Sequence, residues 1–207
     1  MKKLITLFAC FLLMFSVTAL RAQDTNLGIS LGISYPADPE ALAFDSALSL
    51  TFGVNKFFGI GVEGGFNWVK KDIDAGEDTF EDFTATQAAT INYYSIPVLA
   101  KAVLTIPVGE YGEAPVLPII SGGAGYSWTI FDGLSESYTF SGFTWQVMGG
   151  VLLNLGEGAG GMKILIEAGY RGTYITDDIN GTEYELDMAG FVARAGLSFP
   201  LSGGDSW

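Results

Sequence analysis

The stretch LGISLGISY, residues 27–35, alternates without a fault. Leu27, Ile29, Leu31, Ile33 and Tyr35 fall on one side of the count, and Gly28, Ser30, Gly32 and Ser34 on the other. Successive side chains of a strand point to opposite faces, so a period of two reads as a β-strand with one large apolar face and one small polar face. The rhythm returns at once. Leu48, Leu50, Phe52 and Val54 alternate with Ala47, Ser49, Thr51 and Gly53. Phe58, Ile60, Val62, Phe66 and Trp68 then alternate with Gly59, Gly61, Glu63, Gly65 and Asn67. It predicts strands near 26–35, 46–54, 58–69, 88–105, 115–130, 138–155, 162–176 and 183–201, with no helix and no linker dividing the chain.

The alternation also says which way the barrel faces. The faces built of Gly, Ser, Ala, Thr and a few charges are too small and polar to form a sizeable dry core. The faces built of Leu, Ile, Val, Phe and Trp are too extensive to be left in water. Lipid on the outside resolves both problems, and a closed antiparallel sheet leaves no backbone group unpaired in the bilayer. The expected fold is all-β: an eight-stranded antiparallel up-and-down transmembrane β-barrel, in the cell outer membrane of a Gram-negative envelope.

The N-terminal MKKLITLFACFLLMFSVTALRAQ has a basic start at Lys2 and Lys3, an apolar run from Leu4 to Leu20, and small Ala22 before Gln23. It reads as a secretory signal peptide over 1–22, with the barrel domain over 23–207. An uncleaved anchor, or a lipoprotein using Cys10, are the alternatives. Cys10 is the only cysteine and there is no histidine. A mature chain starting at Gln23 therefore has no thiol nucleophile, no disulfide and no cysteine metal site, and hydrolase triads that need His cannot be assembled. Losing Lys2, Lys3 and Arg21 from the ten basic residues leaves seven against 23 acidic, a net of −16. That charge argues against a nucleic-acid partner. No cofactor motif is present, and the chain reads as non-enzymatic.

The connections are asymmetric. NKF (55–57), VGEYGEA (108–114) and GEGAGG (156–161) are tight or Gly-rich and read as periplasmic turns. The opposite segments are PADPEALAFD (36–45), KKDIDAGEDTFEDFTAT (70–86), FDGLSES (131–137) and TDDINGTEYELD (176–187), and they hold sixteen acidic residues, Asp45 among them. Within the second, Asp72, Asp74, Asp78, Glu81 and Asp82 hint at weak divalent-cation binding, such as bridging to anionic lipopolysaccharide. Gly76 stands where an EF-hand loop needs a ligand and Phe83 replaces its closing Glu, so a solvated acidic loop is the plainer reading. Ser121 in ISGGAG lies mid-strand with no identifiable base, which favours close strand packing over nucleophilic chemistry.

NYYSIPVLAKAVL, starting at Asn92, resembles the signature segment of the PorT-like and OmpX-like outer-membrane β-barrel family: a Tyr-rich start, Ile-Pro, an aliphatic run and a Lys. APVLPIISGGAGYSW, FTWQVMGGVLLNLG, ILIEAGYRGTY and MAGFVARAGLSF are similar to its later strands, so the likeness covers most of the mature chain. Arg194, Gly196, Phe199 and Leu201 resemble the C-terminal signal read by the barrel assembly machinery, followed here by the tail SGGDSW. The resemblance implies a small integral outer-membrane protein for envelope integrity or surface interaction. Its implied partners are outer-membrane lipid, lipopolysaccharide, the assembly machinery, and another envelope or extracellular protein through the acidic loops. The family also holds a member needed for protein secretion, so an accessory role in an outer-membrane secretion system is an alternative.

Lumen-facing charges are few: Glu63, Lys101, Glu167, Arg171 and Arg194. Asn180-Gly181 is the strongest two-residue hairpin signal. An unbulged hairpin about it sets Glu167 opposite Arg194, Ile164 opposite Leu197 and Tyr170 opposite Phe191. A lumenal salt-bridge cluster of Glu167, Arg194 and Arg171 follows, with Glu63 nearby and Lys101 in the lumen or at its periplasmic rim. Pro97 cannot donate to a ladder, which implies a bulge or a locally unpaired carbonyl. The cluster reads as a plug in a narrow barrel or as a selectivity filter. A narrow porin or carrier for small solutes, and a soluble periplasmic barrel with its apolar faces inward, remain as alternatives.

Overall fold

The computed structural model describes residues 25–73, 78–80, 83–84, 89–106, 108, 115–133, 136–155, 161–179 and 182–201. The expected signal peptide over 1–22, the tail after Leu201, the pair Asn180-Gly181, and Asp74, Glu81 and Asp82 lie outside them. The strands are β1 (Thr25–Pro36), β2 (Ala43–Gly53), β3 (Phe58–Ile73), β4 (Asp78–Phe80), β5 (Phe83–Thr84), β6 (Ala89–Thr105), β7 (Val116–Gly133), β8 (Glu136–Asn154), β9 (Lys163–Ile179), β10 (Thr182–Asp187) and β11 (Gly190–Pro200). β4 and β5 form a separate two-stranded ribbon. The others close a barrel in the order β1-β2-β3-β6-β7-β8-β9-β11, with β11 back on β1. β10 and β11 make one stave: both pair with β9 in one register, and Met188 N–H donates to Thr173 O at 3.0 Å between them. The eight-stave antiparallel barrel is the architecture that the alternation predicts.

The tight turn at 55–57 explains itself locally. Asn55 Oδ1 accepts from the backbone N–H groups of Phe57 and Phe58 at 2.9 Å each, closing an Asx turn between β2 and β3. Strand faces also sort as expected. Ile29, Leu31, Ile33, Leu48, Val98, Ile120, Val147 and Ile166 are exposed on the outside, and Ser30, Ser34, Ser95, Ser121 and Ser127 are buried inside. The outward apolar run of β3, from Phe58 to Trp68, is eleven residues long. That matches the roughly 9–11 residues of a tilted membrane-spanning strand. Aromatics crowd the outer surface: Trp145, Tyr170 and Phe191 lie across three neighbouring staves, with ring centroids 6.1 and 5.4 Å apart.

Pro97 is accommodated without a bulge, contrary to one expectation for it. β3 and β6 pair Asn67 with Ser95 and Gly64 with Val98, so the register is the same on both sides of the proline. Only the pairs at Gly65 and Phe66 lapse. A Cβ at residue 65 would stand 2.9 Å from Pro97 Cγ, so Gly65 is the space into which the pyrrolidine ring fits.

The interior departs from the expectation of a uniformly small, polar lumen. At the outer end Ala43, Val69, Ile91, Tyr93, Phe131, Phe140, Ile175, Leu186 and Met188 pack as one buried apolar cluster. On the outside at that level stand polar residues, Lys70, Asp72, Asp132, Thr139 and Glu185. The barrel reverses its amphipathic sense above the Trp68 level. Below it, lipid contacts the apolar face. Above it, water meets a largely polar outer face, and the hydrophobic effect drives the apolar residues inward as in a soluble barrel.

Candidate functional site: the charged lumen

The pairing of β9 with β11 is the one an unbulged hairpin dictates: Glu167 faces Arg194, Ile164 faces Leu197, and Tyr170 faces Phe191. The lattice runs on from Arg194 to Gly32 of β1, from Gly32 to Asp45 of β2, and from Glu167 to Gly150 of β8. Gly32 and Gly150 leave the room this row requires. A Cβ on Gly32 would stand 2.8 Å from Arg194 Cγ, and one on Gly150 would stand 2.9 Å from Glu167 Cβ.

All five sequence-predicted lumen charges meet in one network. Lys101 Nζ donates to Glu63 Oε2 at 2.6 Å, and Arg194 Nη1 donates to Glu63 Oε1 at 2.9 Å. Lys101 is therefore drawn into the lumen rather than left at the periplasmic rim. Arg171 Nη1 donates to Asp45 Oδ2 at 2.8 Å. Arg194 Nε also lies 3.2 Å from Asp45 Oδ1 and 3.7 Å from Glu167 Oε1, close ion pairs without hydrogen-bond alignment. Lys101 Nζ is 3.9 Å from Glu167 Oε2. Glu167 is thus held by charge alone: neither carboxylate oxygen accepts a hydrogen bond among the described residues.

Two members of the network escape the sequence reading. Asp45 is fully buried in β2, not part of an outer segment, because β2 begins at Ala43 and carries Asp45 on its inward row. The signal was available: Asp45 has the same parity as Ala47, Ser49 and Thr51. Gln146 carries no charge to mark it in the sequence. It donates to Glu63 Oε1 at 2.7 Å and accepts from Arg194 Nη2 at 3.0 Å and Arg171 Nη2 at 3.5 Å. With Asp45 included, three carboxylates face three cations, so the described cluster is neutral, as burial demands.

Above this network lies a layer of small polar residues. Asn67 Nδ2 donates to Ser34 Oγ and to Asp45 Oδ2, the latter at 3.3 Å. Ser95 and Ser127 hydroxyls are 2.9 Å apart, Thr129 donates to Ser95 at 3.1 Å, and Thr144 and Thr173 hydroxyls are 2.7 Å apart. A cavity of about 10 Å³, room for about one water, lies between Ser34, Asn67, Ser95, Arg171 and Thr173 on its polar side and Pro36, Met188 and Val192 on its apolar side. Other large interior side chains, Leu99, Leu117, Ile119, Met148 and Leu165, are also buried. Among the described residues, side chains fill the lumen at each of these levels.

The remaining predicted residues stand elsewhere. Asp72 is exposed on β3, ion-paired with Lys70 at 3.3 Å and accepting from Thr90 Oγ1 at 2.6 Å. The Thr90 hydroxyl first, then Lys70, holds the Asp72 carboxyl below its usual range. Asp78 lies in β4, apart from the barrel staves. Asp72 and Asp78 are the members of that acidic set among the described residues, and they lie in different sheets. Of the C-terminal set, Arg194 points into the lumen, Phe199 pairs with Leu27, and Leu201 N–H donates to Thr25 O at 2.7 Å, closing the barrel seam.

Comparison with known proteins agrees with this architecture. Residues 7–199 match the family model of the outer membrane protein beta-barrel domain. The fold is similar to that of Neisserial surface protein A, at 15% identity and a TM-score of 0.53, covering 85% of this chain and 95% of that one. The N-terminal barrel of Pseudomonas aeruginosa OprF follows at 9% identity and 0.48, covering 87% and 98%. A major outer membrane protein of Thermus thermophilus follows at 12% and 0.48, covering 86% and 98%. No curated protein matches the sequence significantly. The chain belongs to the outer membrane protein beta-barrel domain family, and its place is the outer membrane.

Proposed function

We infer that the protein is a non-enzymatic outer-membrane scaffold with a plugged lumen, serving envelope structure or contacts at the cell surface. The observation that carries this reading is the filling of the lumen: a neutral network of Asp45, Glu63, Lys101, Gln146, Glu167, Arg171 and Arg194 under a hydroxyl layer and an apolar cluster. About eight strands leave an interior only wide enough for side chains. Contacts with the outside would be made by the acidic outer segments, with lipopolysaccharide or another envelope protein as partner. Arg194, Gly196, Phe199 and Leu201 would serve the assembly machinery during insertion. The competing readings, a narrow porin or carrier and a secretion accessory, both need a further opening or partner.

Single-channel recording of the refolded mature chain in a planar bilayer tests this, with Glu167→Ala and Arg194→Ala alongside. The expected result is silence from a protein whose heat-modifiable gel migration shows it folded and inserted. Discrete steps in the parent, altered by either substitution, would replace the scaffold with a pore and make the charged network its filter.

A further inference from the structure

The lumen holds two kinds of obstruction in series, and they differ physically. The charged network is polar and adjoins a small cavity that Asn67 and Arg171 line together with Met188 and Val192. The outer cluster is largely apolar and draws on seven of the eight staves, all but β1. The register sets Ala43 beside Val69, Val69 beside Tyr93, Tyr93 beside Phe131, and Phe131 beside Tyr138, with Ile175 opposite Leu186 on the far side. Tyr93 and Phe131 meet edge-to-face with centroids 5.3 Å apart. Ile91, Val69 and Ile175 are 0% exposed, and Phe140 is 1% exposed.

Resting on the scaffold reading, we propose that this apolar layer is the barrier between the cell exterior and the lumen. The hydroxyl layer around Ser34, Asn67, Ser95, Ser127, Thr129 and Thr173 lies as a polar chamber beneath it. An apolar constriction excludes water and small ions because neither finds hydrogen-bond partners there, whereas salt bridges exchange partners with water once it arrives. The outer layer is also the part of the interior for which water outside the wall supplies a hydrophobic driving force, so it closes most firmly. The solutes it turns away are small hydrophilic ions of either sign.

The absence of cysteine after residue 22 makes a direct test simple. Ser95→Cys places a thiol in the chamber. A small, impermeant, cationic methanethiosulfonate is then added on the outer-face side of oriented proteoliposomes, and the modification rate is read. Ser95→Cys alone is expected to be inert. Adding Phe140→Ala, or the milder opening Ile91→Ser, is expected to raise the rate more than about tenfold, since access then needs no local opening of the fold. Adding Glu63→Gln with Lys101→Met, which removes charge below the chamber, is expected to leave the rate unchanged. Heat-modifiable migration reports folding of each variant.

Reaction of Ser95→Cys in an otherwise unaltered, electrically silent barrel would overturn this inference and leave the scaffold reading standing. So would the absence of any rise with both Phe140→Ala and Ile91→Ser, or an equal rise with the charge-removing pair. Conductance in the parent would instead sink the scaffold reading.

Discussion

Replacing Arg194 by Met removes the cation that serves most partners in the lumen. Its guanidinium donates to Glu63 at 2.9 Å and to Gln146 at 3.0 Å, and it lies 3.2 Å from Asp45 and 3.7 Å from Glu167. Its side chain is fully buried. The substitution leaves three carboxylates sharing Lys101 and Arg171. Removing one partner from a buried ionic network costs about 3–5 kcal/mol, because the residual charge has no solvent to turn to. The measurement is equilibrium urea unfolding of the refolded barrel in lipid vesicles, followed by tryptophan fluorescence. Trp68 and Trp128 lie on the lipid-facing surface and report insertion. Refolding without assembly machinery separates the network from any role of Arg194 in the C-terminal signal. Adding Glu167→Gln restores neutrality and is expected to recover about 1–2 kcal/mol, a coupling typical of side chains in one network. A loss below about 1 kcal/mol for Arg194→Met, the range of exposed pairs, would refute the claim that the lumen excludes water around this network.

Two further predictions concern single positions. Gly65→Ala is expected to destabilise the barrel by about 1–3 kcal/mol, the usual cost of overpacking. The same urea titration should show that cost shrinking in a Pro97→Ala background, and equal costs in the two backgrounds would mean that Gly65 is not the seat of the proline ring. For Asp72, the bonds from Thr90 and Lys70 depress its titration. Its stabilising contribution is then present above the unfolded carboxylate range and lost as pH falls through the lowered folded value. NMR titration should place its midpoint below that of an unpartnered aspartate, and Thr90→Val should move it upward. A midpoint indifferent to Thr90→Val would discard the hydroxyl as its main cause.

Much of the architecture lies in the order of residues alone. Period-two alternation over eight segments specifies strands, faces and, through the size of the outward residues, lipid as the solvent. Asn180-Gly181 specifies the last hairpin, and from it the meeting of Glu167 and Arg194, because a register error of one residue would turn every side chain to the wrong face. The five charges Glu63, Lys101, Glu167, Arg171 and Arg194 are legible as a group for the same reason: each interrupts a small polar row.

What the chain order does not carry is the third dimension of that lumen. Gln146 belongs to the network only because closure of the barrel carries β8 across to β3, a contact with no local signature. Asp45 enters it because β2 starts three residues before the apolar alternation becomes plain, and strand ends are set by pairing with neighbours rather than by propensity. The outer apolar cluster is the clearest case. Val69, Ile91, Phe131 and Phe140 have ordinary strand parity. Their inward apolar side chains turn from an anomaly into a core only where the wall rises out of lipid into water, and the position of that boundary is decided by the assembled barrel as a whole.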